Sequence, residues 1–173
     1  PPWLAGPEPV AHDRVVPVRH PHPRAIVQVV DSLRLGGTER MAVDLSNALA
    51  ARGWTVHLVV TREAGPLAAD LSPSVILHPL SRTSRWDLSG LRAFRRLVRR
   101  QRPAIVHTHG WSTLRFVTAA LAPGIGVPPV VHHDHGAARY RARSGLYKLV
   151  AWPLVQAHLA VGPSFLEPPL RTR

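Results

Sequence analysis

The chain contains no cysteine, and that absence removes disulfide bridges, thiolate zinc sites and cysteine nucleophiles at once. It contains one lysine, Lys148, far from any glycine-rich segment, so the phosphate loop that closes on a lysine is excluded as well. No apolar run approaches the roughly 20 residues that a helix needs to cross a bilayer. Nor does a leader with a charged start, an apolar middle and a small-residue cleavage site precede the first strand-like segment, which gives a cytoplasmic location as the expectation. Acidic residues are few: 10 against 22 basic, for a formal charge of +12. Such an excess favours anionic partners, whether phosphorylated small molecules, anionic lipid surfaces or nucleic acid. Aromatic residues are scarce at 6%, and Trp54, Trp86 and Trp111 are scattered. With no zinc finger and no aromatic platform, nucleic acid is not expected as a partner.

What is present suffices for one domain. The 173 residues are 45% hydrophobic, enough for a single core. The first 23 residues hold seven prolines and show neither helical nor strand period, so residues 1–23 read as a disordered Pro/His-rich leader. From Arg24 onward, β-branched runs alternate with longer helix-like segments. The strand candidates are "AIVQVV", "TVHLVV", "SVILH", "AIVHTH", "PVVHHDH" and "AHLAVG". Continuous apolar strands between helices imply a parallel sheet covered on both faces, a doubly wound, Rossmann-like α/β fold.

The helices carry end signals. Thr38 is the expected N-cap of the first, Met41, Ala42, Leu45 and Leu49 its apolar stripe, and Gly53 the residue past its end. A second helix is expected from Asp87 to just before Pro103, with Leu88, Leu91, Phe94 and Val98 on one side. Arg92, Arg95, Arg96, Arg99, Arg100 and Arg102 fall on the other, which makes it basic and amphipathic. A third helix is expected over Ser112 to Leu121 and a fourth near Ser144 to Trp152.

Two features carry chemistry. In "VVDSLRLGGTER", Gly36 and Gly37 stand between a buried strand and a helix. The first amides of that helix lack internal partners, and glycine lets a phosphate approach them without meeting a Cβ, so the pair is a candidate diphosphate cradle. A tight turn alone would also use two glycines. Glu39 in the first turn complements the helix dipole whatever its other role. The second feature is imidazole. "IVHTHGW" puts His107 and His109 on one face of a strand, and "VVHHDHG" gives His133 and His135 the same spacing. Both segments end strands of one parallel sheet, so His109 and His135 should share the carboxyl rim with the glycine pair. The His-x-His elements and Asp134 are also competent metal ligands. The hydrolases that use such elements need a β/α barrel of about 250 residues, longer than this chain, and no metal is expected.

Taken in order, "VVDSLRLGGTERMAVDLSNALAARGWTVHLVV", "RPAIVHTHGW", "PVVHHDHG" and "AHLAVGPS" resemble the N-terminal domain of retaining glycosyltransferases of the GT-B fold, family 4. The resemblance covers residues 24–164. It implies the acceptor-side half of a two-domain enzyme that transfers a sugar from a nucleotide-sugar donor to a glycan or lipid-linked acceptor in cell-envelope glycan synthesis, with no cofactor. By that resemblance Gly36 and Gly37 meet the donor diphosphate and sugar. His135 and His109 are the catalytic candidates beside the donor sugar, and Arg139 is an acceptor contact. The leaving diphosphate would help take the acceptor proton. The C-terminal domain, with its E-x7-E pattern, has no counterpart in the sequence, and residues 165–173 read as a truncated or non-native tail. The resemblance therefore predicts a fragment that is inactive by itself. It also predicts peripheral contact with an anionic inner membrane face through Arg92, Arg95, Arg96 and Arg99. The alternative is a non-enzymatic Rossmann-like module that binds a nucleotide or phosphorylated ligand.

Overall fold

A computed structural model describes residues 25–84, 87–121, 127–135 and 155–160. The expected fourth helix, Arg139 and both terminal segments lie outside the described residues.

All six expected strands form. They are β1 (Ala25–Ser32), β2 (Thr55–Glu63), β3 (Val75–Pro79), β4 (Ile105–His109), β5 (Val130–Asp134) and β6 (Val155–Ala160). Every neighbouring pair is parallel, and the spatial order is β3-β2-β1-β4-β5-β6. Among the described residues, three helices connect them: α1 (Gly37–Ala51), α2 (Leu88–Gln101) and α3 (Trp111–Leu121). A 3₁₀ turn at Pro66–Asp70, not anticipated from the sequence, precedes β3.

The sheet is wound on both sides. Val27, Val29 and Val106 pack with Phe94 and Val98 of α2 and with Leu114 and Phe116 of α3. On the opposite face, Val30, Val56, Leu58 and Val60 pack with Ala42 and Val43 of α1. Alternation along each strand thus feeds two cores, as a sheet buried on both faces requires.

Two helix readings shift. The N-cap of α1 is Gly36, and Thr38 lies inside the first turn. Gly36 is extended at φ −169° and offers no side chain, so the first amides of α1 have no side-chain cap. The buried face of α1 is Ala42, Val43 and Ser46, with Met41, Leu45 and Leu49 only half-buried. Small side chains let that helix lie close to the sheet, and the bulkier residues flank the contact. Gly53 takes the positive φ of +82° that favours glycine after a helix.

The second helix follows its sequence closely. The Asp87 carboxylate caps it, accepting from the Ser89 and Gly90 amides at 3.0 and 3.1 Å. Phe94 and Val98 are buried, whereas Leu88 at the first turn is exposed. Arg92, Arg96, Arg99 and Arg100 are exposed, and Arg95 is half-buried. Among the described residues, no ion pair engages any of these arginines.

Candidate functional site

In this strand order the chain reverses its winding direction between β1 and β4, so a crevice opens at the carboxyl ends of those two strands. Three segments meet there: the loop leading from β1 into α1, the turn from β4 into α3, and the end of β5.

The first is held from below. Buried Leu33 donates its amide to the Glu63 carbonyl at 3.0 Å and accepts from the Leu67 amide at 3.0 Å. Beyond it Leu35 is 80% exposed, and the chain enters α1 through the glycine pair. A Cβ at Gly37 would meet nothing within 4 Å, so the approach to the first turn is open. A Cβ at Gly36 would strike the Glu39 carboxylate, whose Oε1 accepts from Ser32 Oγ at 3.5 Å.

The second segment turns at Gly110, whose φ of +83° is a left-handed value that a side chain would strain. Its amide donates to the His133 carbonyl at 2.8 Å, tying the β4 exit to β5. Trp111 opens α3 and donates from Nε1 to Asp134 Oδ2 at 3.1 Å.

These segments enclose a cleft of about 250 Å³, whose lining includes Asp31, Thr38, Glu39, His109, Arg115 and His135. Both expected catalytic histidines are therefore at one rim. His109 Nδ1 lies 3.3 Å from His135 Nε2. The glycine pair borders this cleft without lining it: Thr38 and Glu39, the residues after it, form the wall. Sequence reasoning missed Gln28, Arg115 and the Trp111–Asp134 hydrogen bond. Gln28 did leave a trace, as the one polar residue in the middle of "AIVQVV".

Gln28 is fully buried, and its Oε1 accepts from His109 Nε2 at 2.7 Å. With its proton on Nε2, His109 presents Nδ1 as an acceptor for the Nε2–H of His135. That order leaves Nδ1 of His135 to accept from a ligand hydroxyl. The imidazoles of the rim are neutral because burial disfavours their charged form. Desolvation, then neighbouring imidazoles, push His109 down to about 2. His107 falls to about 4, through burial and then His133 and His135. His135 also falls to about 4, through burial and then His133, with Asp134 opposing. Neutral imidazoles can donate and accept hydrogen bonds to sugar hydroxyls without adding charge next to a departing phosphate.

The four histidines of β4 and the β5 end make one stack. Ring centroids lie 4.3 Å apart for His107 and His109, 5.5 Å for His109 and His135, and 4.0 Å for His133 and His135. His132 points to the other face, where its Nδ1 meets Thr108 Oγ1 at 3.0 Å and its ring meets Trp111 edge-on.

Comparison with known proteins bears on the family and the fold. The family model described as Glycosyltransferase Family 4 matches residues 35–163. A UDP-N-acetylglucosamine--N-acetylmuramyl-(pentapeptide) pyrophosphoryl-undecaprenol N-acetylglucosamine transferase from Agrobacterium fabrum is 37% identical over 124 residues, covering 64% of this chain and 32% of that protein. The enzyme of the same description from Sinorhizobium medicae is 35% identical over 129 residues, 67% of this chain and 34% of the relative. The chain thus spans about a third of the length of the curated relatives it matches. Among solved structures, a glycosyltransferase from Rickettsia africae ESF-5 superposes with a TM-score of 0.58 at 16% identity, covering 72% of this chain and 33% of that one, a likeness of fold.

Proposed function

Because the chain belongs to glycosyltransferase family 4, we propose that it is the acceptor-side lobe of an enzyme that moves a sugar from a nucleotide-sugar donor to a lipid-linked acceptor. The observation that carries this reading is the meeting of the uncapped α1 N-terminus, His109 and His135 around one cleft at the topological switch point. The α1 amides beside Gly36 and Gly37 receive the donor diphosphate, with the helix dipole favouring its charge. His135 holds a hydroxyl of the transferred sugar through its free Nδ1, and His109, whose two ring nitrogens meet Gln28 and His135, orients it from behind. Arg115, exposed at the cleft wall, adds positive charge near the leaving group. Arg139 contacts the acceptor. The relatives' names, which specify UDP-N-acetylglucosamine chemistry on a pyrophosphoryl-undecaprenol acceptor, support a donor and acceptor of that class.

Transfer proceeds with retention: the acceptor oxygen attacks the face from which the diphosphate leaves, and that diphosphate accepts the hydroxyl proton. The chain is inactive by itself. Its cleft of about 250 Å³ is smaller than the roughly 300–1,000 Å³ of sites that enclose a ligand, so the nucleotide needs a second wall. Incubated alone with UDP-N-acetylglucosamine and a lipid-linked muramyl acceptor, the chain is expected to give no product above the protein-free rate. Supplied with a nucleotide-holding lobe, joined or separate, it should give product with the donor's anomeric configuration in its proton coupling constants. Transfer by the chain alone, or an inverted linkage, would contradict these two statements respectively.

The enzyme works at the cytoplasmic face of the membrane, held by the exposed side of α2. Among the described residues, no helix is long and apolar enough to cross a membrane. Arg92, Arg96 and Arg99 are exposed, and Arg95 is half-buried. Each arginine near an anionic surface contributes about 1 kcal/mol, screened within a Debye length. Co-sedimentation should therefore rise with the fraction of anionic lipid in vesicles and fall with salt. Equal sedimentation with neutral and anionic vesicles would remove α2 from the membrane.

A further inference from the structure

Three of the stacked histidines offer more than a wall to the sugar cleft. His107 and His109 leave β4 on the same face, and the β4–β5 register places His133 directly beside His109. One ring nitrogen from each of the three lies within 4.8 Å of the others. His107 is 5% exposed, and its Nε2 is buried with no hydrogen-bond partner. His109 donates its other ring N–H to buried Gln28 Oε1 at 2.7 Å, the outer contact that fixes a metal-ligating imidazole in position and raises its basicity. A buried ring nitrogen without a partner, on a residue of a cluster whose neighbour is already oriented, is the form of a ligand set.

We infer that His107, His109 and His133 form a binding site for a late first-row divalent cation of the zinc class. Three imidazoles with neither carboxylate nor thiolate suit zinc, nickel, copper or cobalt and do not suit magnesium or calcium, which take oxygen ligands. Zn–N bonds of about 2.0–2.1 Å put the nitrogens of a tetrahedral site about 3.4 Å apart. Closing from the present spacing, within 4.8 Å, brings the nitrogens together by at most about 1.4 Å. His109 binds through Nδ1, giving up its 3.3 Å contact with His135. His135 or a water then fills the fourth position. The length argument against a His-x-His hydrolase concerns the barrel such enzymes need and does not bear on an ion held by one sheet face. Neither His107 nor His133 lines the sugar cleft, and the ion meets that cleft through His109 and, where it takes the fourth position, His135.

The test uses the full 173-residue chain, stripped with a chelator, with zinc alone as the probe in competition against a chromophoric chelator. One equivalent should bind. His107→Ala and His133→Ala should each weaken binding at least tenfold, and Gln28→Ala by about 10–100-fold through the outer contact. His57→Ala, in the separate His57–His78 pair on β2 and β3, should leave it unchanged. Cobalt in place of zinc should give the visible absorption bands of a four-coordinate nitrogen site in the wild-type chain, a readout independent of variant folding. Lack of stoichiometric zinc binding, retention of full affinity in both His107→Ala and His133→Ala, or equal loss in His57→Ala would overturn the proposal.

Discussion

Replacing Gly65 with alanine is expected to lower the melting temperature by about 10 °C. Gly65 has an ordinary backbone, with φ −81°, so strain is not the reason. A Cβ there would run into the Leu33 carbonyl and lie 2.6 Å from the Arg34 amide nitrogen. Both obstacles are backbone, and Leu33 is fixed by hydrogen bonds on both sides, to Glu63 and Leu67. Overpacking against a segment that cannot move aside costs about 3 kcal/mol. A domain of this size loses roughly 2–4 °C for each kcal/mol. The cost is also functional, because Leu33 and Arg34 set the direction in which the loop enters the glycine pair. Gly37→Ala is the control: its Cβ would meet nothing within 4 Å, and alanine favours the helix. Thermal denaturation of the two variants should separate them clearly. A Gly65→Ala melting point within two or three degrees of wild type would show that the β1 exit is not held as described.

Acid should destabilise the fold steeply between pH 6.5 and about 4, measured in chelator so that no ion occupies the imidazoles. His107 and His109 titrate near 6.5 in the unfolded chain, and burial lowers them to about 4 and about 2 in the folded one. Their folded pKa values lie below the unfolded ones, so the unfolded state binds more protons throughout that window. Stability is therefore complete above pH 6.5 and declines as pH falls toward the folded values. Each group lowers it by about 1.4 kcal/mol per pH unit, or about 2.7 together. From pH 6.5 to 5 the loss is about 3 kcal/mol, since the unfolded imidazoles are already half-protonated at pH 6.5, and that is a large part of the 5–15 kcal/mol that a typical domain possesses. His57 and His78 are also lowered by burial and act in the same direction. Replacing His107 with glutamine should flatten the profile by about one proton. A melting temperature that stays constant from pH 7 to 5 would contradict the buried, neutral stack.

The sheet was readable because its strands are β-branched runs, and such runs have few other uses between helices. Helix α2 was readable for a similar reason, since an aspartate cap, an apolar stripe and a following proline mark its ends independently. The start of α1 was not. Two glycines beside a threonine offer three possible caps, and the geometry chooses the one without a side chain. Shared facing of His107 with His109 follows from strand period, and the rim position of His109 and His135 follows from sheet topology. The contact of His107 with His133 depends on the register between β4 and β5, which no local pattern encodes. Gln28 is a related case: a polar residue in an apolar strand announces a buried partner without saying that it lies 81 positions away at His109.

The placement of the ligand site is tested most directly by titrating the isotope-labelled chain, supplied with a nucleotide-holding lobe, with UDP-N-acetylglucosamine and following backbone amide and imidazole resonances. The predicted result is one contiguous set of shifts: amides of Gly37, Thr38 and Gly110, and the imidazoles of His109 and His135, with β3 and α2 unperturbed. Shifts confined to α2, to the β3 edge or to the His57–His78 pair, with the α1 N-terminus and His135 unmoved, would contradict it.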